Sequence, residues 1–519
     1  MSVASRGNVA CQTGGGTADP VVRTKSIFRA TAILSGSSAV SVVLGLASAK
    51  VMALLLHPSG YGYFGLLQSF VAVISLLAGW GMATGLVRQG ASAANRGEAD
   101  VISNLRRGAW LLFWAIGSAV LIGLLLFREA VSRWALGTPA HSETILVLAI
   151  AVLFTVAANV QNGILNTYHK VEALATYGVA NSVLGASIGI ITVLLWKLQG
   201  VVAAVIAGAI VSWGVSAYLL RSKVGRPLAQ PSRKDTLNAA RSLLRFGGPF
   251  TASQLVGTGV QLALPIVVLH LLSTDSVGYY KAATAISVNY LGFLVAAMGQ
   301  DYYPRVSAVK DRPKALVALI NEQHRLVMLL GVPMILGTLA LVPYLVPLVY
   351  SRRFLPTVAI LEWQLIGDLF KFSSWTMSFA VLGRCRPSVY FLLELTGGLS
   401  TVVTTWLAVR WFGLTGLGIG FLLTYIIYYG AVWLVVRRDI GLVFTASNKR
   451  MMLAAVGAAL VIRALGYAHY GIARTVVALA LAGGASVFSL TVLWRQYVSG
   501  REIRLAAPET AVCEVGAPE

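Results

Sequence analysis

Residues 28–56 read FRATAILSGSSAVSVVLGLASAKVMALLL, an apolar stretch interrupted only by Arg29, Lys50 and small hydroxyl residues. A hydrocarbon core of ~30 Å takes roughly 20 residues of helix. Backbone polar groups in lipid must be satisfied inside their own segment, so the stretch reads as a membrane helix. It is far longer than the roughly 7–15-residue apolar core of a removable leader and shows no clear small-residue cleavage site before its end. A retained first span is expected.

Outward from this stretch the pattern recurs. Fourteen apolar runs follow one another: 28–56, 61–87, 109–128, 143–165, 174–196, 201–220, 247–272, 278–300, 326–350, 357–382, 387–409, 414–436, 450–467 and 472–494. The tenth is set apart by its charges, the thirteenth by its shortness and by Arg463. The composition agrees: 57% of the 519 residues are hydrophobic and only 12% charged, against about 25% charged in soluble domains. The mean hydropathy is +0.76. An all-α integral membrane protein of about 14 transmembrane helices is expected.

The formal charge of +22 does not indicate nucleic acid. A nucleic-acid-binding face gathers its cations on one soluble domain, whereas here they sit in short clusters between spans. With the N-terminus inside, thirty of the 41 basic residues fall on inner segments and nine on outer connections and helix ends. That bias sets orientation, and an even number of spans puts both termini in the cytoplasm. Cys11, Cys385 and Cys513 lie in different segments with no zinc, disulfide or redox spacing.

Residues 221–246 carry seven basic residues with Pro227, Pro231 and Ser232. They divide a first lobe, 28–220 with helices 1–6, from a second, 247–436 with helices 7–12. A tail over 1–27, a last helix pair within 437–494 and a tail over 495–519 complete the domain plan. A shift of 216 residues lays one lobe on the other. Ser26 to Arg29 falls on Ser242 to Arg245, and Leu55-Leu56 on Leu271-Leu272. Gly62-Tyr63-Phe64 falls on Gly278-Tyr279-Tyr280. Six helices per copy is an even number, so the two bundles enter from the same side as parallel repeats, with a pseudo-twofold along the membrane normal. Such lobes can rock and open a central cavity to one side at a time.

The stretch Lys50-Val-Met-Ala-Leu-Leu-Leu-His-Pro-Ser-Gly-Tyr-Gly-Tyr-Phe-Gly-Leu-Leu-Gln-Ser-Phe resembles the helix 1–2 region of bacterial polysaccharide flippases. These belong to the multidrug/oligosaccharidyl-lipid/polysaccharide exporter superfamily. Gly81 to Arg88, Gly278 to Ala283 and Tyr303-Pro304-Arg305 resemble the same proteins, O-antigen translocases included. The resemblance implies two six-helix bundles in the bacterial inner membrane and alternating access. It implies a polyprenyl-pyrophosphate-linked oligosaccharide as cargo, taken from membrane lipid, with a glycan polymerase and glycosyltransferases as pathway partners. Members commonly have twelve helices; lipid II flippases have fourteen.

A pyrophosphate and sugars crossing hydrocarbon need a wet path lined by cations, amides, hydroxyls and aromatics. Ionisable residues inside spans usually face a cavity or a partner. The candidate cavity cations are Arg29, Lys50, Arg245 and Lys281, although helix-end arginines also serve as plain orientation anchors and lysines snorkel. Asp368 and Lys371, three residues apart on helix 10, share a face and form either a structural ion pair or a coupling site. Glu394 is a candidate proton carrier, a buried hydrogen-bonding group or the partner of an arginine. Candidate amides are Gln68, Asn159, Gln161, Asn181, Gln254, Gln261, Asn289 and Gln300, each also explicable as interhelical glue. Tyr290, Tyr302 and Tyr303 could stack on sugars. No P-loop, HExxH motif or metal-ligand spacing occurs, so neither ATP hydrolysis, a cofactor nor a metal is expected. The rivals are a cation-coupled multidrug exporter of the same superfamily, a membrane glycosyltransferase or ligase, and a scaffold without transport. Short outer connections leave a ligase little room, and the excess of cations favours an anionic cargo over an organic cation.

Overall fold

The computed structural model describes residues 20–224, 232–297, 301–384, 387–468 and 472–498. Among the described residues the elements are α-helices apart from three short 3-10 turns and a π-helical step at 301–302. The helices of the first half are α1 (Pro20–Gly79), α2 (Met82–Asn95), α3 (Ala99–Leu126), α4 (Arg128–Leu136), α5 (Ser142–Thr167), α6 (Val171–Trp196) and α7 (Gly200–Lys223). Those of the second are α8 (Arg233–Leu271), α9 (Thr274–Ala297), α10 (Tyr303–Ala308), α11 (Pro313–Val349), α12 (Thr357–Gly383), α13 (Pro387–Phe412) and α14 (Gly416–Ile440). The pair α15 (Ala446–Ala468) and α16 (Ile472–Val498) follows.

Nine helical stretches among the described residues are long and apolar enough to cross a membrane by length and composition. Two of these contain more than one helix. Val40–Gly79 holds both arms of α1, which is broken at His57 (φ 56°, ψ −178°) just before Pro58. Ser388–Ile440 holds α13 and α14. Large apolar side chains stand fully outward, Trp411 at 78% and Leu453 at 72% exposure, as suits a lipid solvent. This is an all-helical membrane protein.

Buried apolar side chains gather in two clusters. One draws on Met52 to Ile266, the other on Val268 to Ala482 with Ala53 added. The seam between the two halves of the sequence runs where α1 meets α8 and α9 and where α3 meets α8. In the second cluster α12 is the central helix, packed by α9, α11 and α14. Twenty of its residues are buried, among them Glu362, Gln364, Asp368 and Lys371.

Helix ends depart from the sequence reading where polar extensions continue a span. The basic stretch over 221–246 is helical from Arg233 onward, with the Ser232 side chain accepting from Lys234 N at 3.3 Å. Likewise α11 begins at Pro313, thirteen residues ahead of its apolar run. Apolarity marks where lipid starts; helix propensity and capping decide where the helix starts. The run expected over 61–87 is broken at Trp80 (φ 40°) and Gly81 (φ 64°), which separates α2 from α1.

Candidate functional site

The two halves meet backbone to backbone at two levels of the seam. Near the His57 turn, Gly62 of α1 lies against Gly278 of α9. A Cβ on Gly62 would meet Thr274 O, and one on Gly278 would meet Pro58 O. Gly62 and Gly278 are also the pair that the 216-residue shift aligns, so residues matched in the sequence touch each other. At the other level Gly81 lies against Gly247 of α8, where a Cβ would meet Gly247 O and Trp80 O respectively. Only glycine permits such approaches without displacing a helix.

Side chains reinforce both contacts. Around Gly62 and Gly278 the rings of Tyr61, Tyr279, Tyr350 and Phe354 form an aromatic plug. Tyr61 stands edge-on to Tyr350 and Phe354, each at 5.7 Å, and Tyr350 stacks on Phe354 at 5.2 Å. The Tyr350 hydroxyl donates to Ala282 O at 3.3 Å. At the Gly81 level Trp80 Nε1 donates to Leu244 O at 3.3 Å and Ser242 Oγ to Gln89 Oε1 at 3.1 Å.

A cavity of about 620 Å3 lies between these levels, among both arms of α1, α5, α6 and α7, and it reaches Ala285 of α9 and Tyr350. Its polar wall consists of Ser48, Gln68, Thr155, Asn181, Ser182 and Ser212. Ser212 Oγ donates to Asn181 Oδ1 at 2.7 Å. Among the described residues the wall holds no charged side chain, and most of it belongs to the first half. A second cavity of about 440 Å3, nearer Gly81, is lined by Ser75, Thr84, Asn159, Asn162 and Asn166.

The candidate lysines reach across the seam instead of into the cavity. Lys50 Nζ, on the first half, donates to Leu348 O of α11 at 2.8 Å. Lys281 Nζ, on the second half, donates to Ser69 Oγ of α1 at 2.6 Å, its stem laid over Gly65. Lys281 is one turn from Ala285, and Ser69 is next to Gln68, so this bond borders the cavity. Arg245 is exposed on α8, and the Arg29 side chain lies outside the described residues. Of the amides, Gln68 and Asn181 line the larger cavity and Asn159 the smaller. Gln161 bonds to Ser216, and Gln254 and Gln261 are exposed. The side chains of Asn289, Tyr290 and Gln300 lie outside the described residues. Tyr302 is buried and donates to Thr376 O at 2.7 Å, whereas Tyr303 is half-buried.

A second polar region lies inside the second half. Asp368 is fully buried, 3.8 Å from Lys371 Nζ, and accepts from Ser287 Oγ of α9 at 2.9 Å. The Lys371 ammonium stands over Trp375, Phe421 and Tyr425 at 4.9, 5.4 and 5.3 Å. Such a box of ring faces stabilises a desolvated cation. Glu394 is half-buried and accepts from the Tyr428 hydroxyl at 3.0 Å. The sequence reading did not find the partner of Glu362. It pairs with Arg463 of α15 at 3.1 Å, both side chains buried, with the guanidinium over Trp363. The one available signal was that a buried acid and a buried base, each in an apolar run, require partners.

A family model described as "Polysaccharide biosynthesis protein" matches residues 51–359. The lipid III flippase of Escherichia coli (strain K12) is 21% identical over 427 residues, covering 80% of this chain and 99% of the relative. A putative O-antigen transporter of Shigella flexneri is 21% identical over 388 residues, covering 73% and 90%. Among solved structures, the lipid II flippase MurJ in an inward closed conformation aligns with a TM-score of 0.67 at 14% identity, over 90% of this chain and 99% of that one. An inward-facing MATE family multidrug resistance transporter aligns with a TM-score of 0.59 at 19% identity, over 79% and 96%. The fold is therefore MATE- and MurJ-like.

Proposed function

Because the chain belongs to the polysaccharide biosynthesis protein family, whose relatives here are transporters and not enzymes, we propose that it flips a polyprenyl-pyrophosphate-linked oligosaccharide from the cytoplasmic to the outer leaflet. In this reading the chain makes fourteen crossings of the inner membrane with both termini cytoplasmic. The His57 turn then faces outward and Gly81 lies toward the cytoplasm. Lobes 28–220 and 247–436 rock about the seam. The names of the flippase and transporter relatives supply the cargo class.

The observation that carries the reading is a neutral, amide- and hydroxyl-lined cavity lying between two seam contacts that can part independently. Opening outward separates Gly62 from Gly278 and breaks the Lys50–Leu348 and Lys281–Ser69 bonds. Opening inward separates Gly81 from Gly247 and breaks the Trp80–Leu244 and Gln89–Ser242 bonds. A bond to an ion contributes about 1.5–3 kcal/mol, a neutral one about 0.5–1.5 kcal/mol. The outward closure is therefore held by the stronger pair of bonds.

A pyrophosphate arriving beside the seam offers each ammonium an anionic oxygen in place of a neutral one. Exchange of partners releases the closure as cargo passes. Sugars take the Gln68, Asn181 and Ser212 wall, and the prenyl tail stays in lipid. A volume of 620 Å3 lies within the ~300–1,000 Å3 range of ligand pockets, enough for part of an oligosaccharide at a time. A wall without carboxylates among the described residues suits sugars better than organic cations. Asp368, Lys371 and Glu394 remain candidates for coupling, and Arg29 and Arg245 for first capture at the cytoplasmic surface.

The test is reconstitution. Proteoliposomes of the full chain are expected to flip a fluorescent lipid-linked oligosaccharide and to leave a cationic dye in place. The double variant Lys50→Gln, Lys281→Gln should flip at least tenfold more slowly while inserting and melting as the parent does. Transport of the dye alone would overturn the cargo assignment. Undiminished flipping by the double variant would remove the lysines from the mechanism.

A further inference from the structure

A groove of about 540 Å3 opens between α11, α12, α14 and α15 and the segment joining the last two. Its walls are aromatic. The His324 ring packs on Phe444 at 4.7 Å between centroids, and Trp433 carries the Arg437 guanidinium over its face at 4.9 Å. Arg437 and Lys449, both exposed, are its charged lining residues, and no carboxylate lines it among the described residues. Asp439, on the same helix as Arg437, is bound to Arg384 at 3.3 Å.

Two deeply buried side chains line the groove with one polar atom each unmatched. His324 is 2% exposed; its Nε2 meets Ser373 Oγ at 3.1 Å, while Nδ1 has no partner. Asn448 is 1% exposed; its Nδ2 donates to Asn321 O and Oδ1, while its own Oδ1 has no partner. A buried polar atom left unmatched keeps its desolvation cost uncompensated. An occupant that supplies a hydroxyl donor removes that cost. Its anionic part meets two cations at the mouth, and its tail meets a lipid-facing aromatic wall.

We propose that this groove binds one anionic phospholipid of the cytoplasmic leaflet with a hydroxyl-bearing headgroup, of the phosphatidylglycerol type. The leaflet rests on the orientation proposed above; the binding chemistry does not. Basic pockets between membrane helices on the cytoplasmic side commonly hold anionic headgroups. The phosphate sits between Arg437 and Lys449, the headgroup hydroxyls lie over His324 and Asn448, whose unmatched atoms a small side-chain shift brings to them, and the acyl chains run out past Leu453. The groove shares no lining residue with either cavity of the first half, which favours a resident membrane lipid over passing cargo.

Native mass spectrometry of the delipidated full chain tests this with three probes: phosphatidylglycerol, phosphatidylcholine and polyprenyl pyrophosphate. One phosphatidylglycerol should be retained and phosphatidylcholine lost, and added inorganic phosphate should not displace the lipid. The double variant Arg437→Gln, Lys449→Gln should bind phosphatidylglycerol about thirtyfold more weakly, from two cations of ~1 kcal/mol each near a membrane surface. Leu453→Trp, at an exposed position on the groove's edge, should block binding without touching the core. Equal retention by parent and variants, or of both phospholipids, overturns the proposal. Tighter binding of polyprenyl pyrophosphate at these cations assigns the groove to the cargo and overturns it as well. No transport is measured, so failure of the flipping assay and failure here are separate results.

Discussion

Replacing Gly278 by leucine is expected to reduce flipping to background while the chain still folds and inserts. The Cβ alone would overlap Pro58 O, a backbone atom fixed by the His57 turn, so no side-chain rotation relieves the clash. Overpacking typically costs about 1–3 kcal/mol where neighbours can yield. Here the available response is to part the two halves at the aromatic plug. Every ~1.4 kcal/mol of strain placed on the closed state shifts the closed-to-open ratio tenfold, so the substitution favours parting. The readout is a cysteine at Gln68 in a background without the native thiols. In Gly278→Leu a membrane-impermeant maleimide added outside should label it at least tenfold faster than in the parent. Normal flipping with unchanged labelling would mean that the glycine contact does not close the path.

The second large effect concerns the buried Asp368–Lys371 pair. Asp368→Ala should destabilise the protein by about 3–5 kcal/mol, because removing one partner leaves the other charge desolvated. Asp368→Asn combined with Lys371→Met removes both charges and should recover most of the loss in thermal stability. Flipping by that double variant then separates the two roles. Retained flipping makes the pair architectural; a folded but inactive protein makes it the coupling site. Retained stability in Asp368→Ala would contradict the burial argument.

Much of this architecture was legible because lipid enforces it. The turn expected between residues 56 and 61 is the break at His57, and helices overlie the apolar runs to within a few residues where both ends meet lipid. Legibility failed where the helix left the membrane, as at Arg233 and Pro313, since amphipathic extensions carry no apolar run. It failed also in choosing faces. A span apolar all round gives no moment to say which side meets protein, so α12, set apart by its charges, proved to be the central helix of the second half. For the same reason the sequence put Lys50 inside a helix and Lys281 near a helix end but could not reveal that each reaches an oxygen on the opposite half. A 3 Å bond between residues roughly 200–300 positions apart leaves no local trace. Gly62 and Gly278 were visible as a repeated pair, yet nothing in the pattern said that they touch.

The bond between Glu362 and Arg463 bears on how the chain could be shortened or rebuilt. The last two helices look like a detachable annex, but their guanidinium is the counter-ion for an acid in the heart of the second bundle. A chain ending after α14 would strip a buried carboxylate of this cation. A derivative without α15 and α16 is therefore expected to regain stability when Glu362 is made neutral in the same step, and the two modules are tied to each other's sequence.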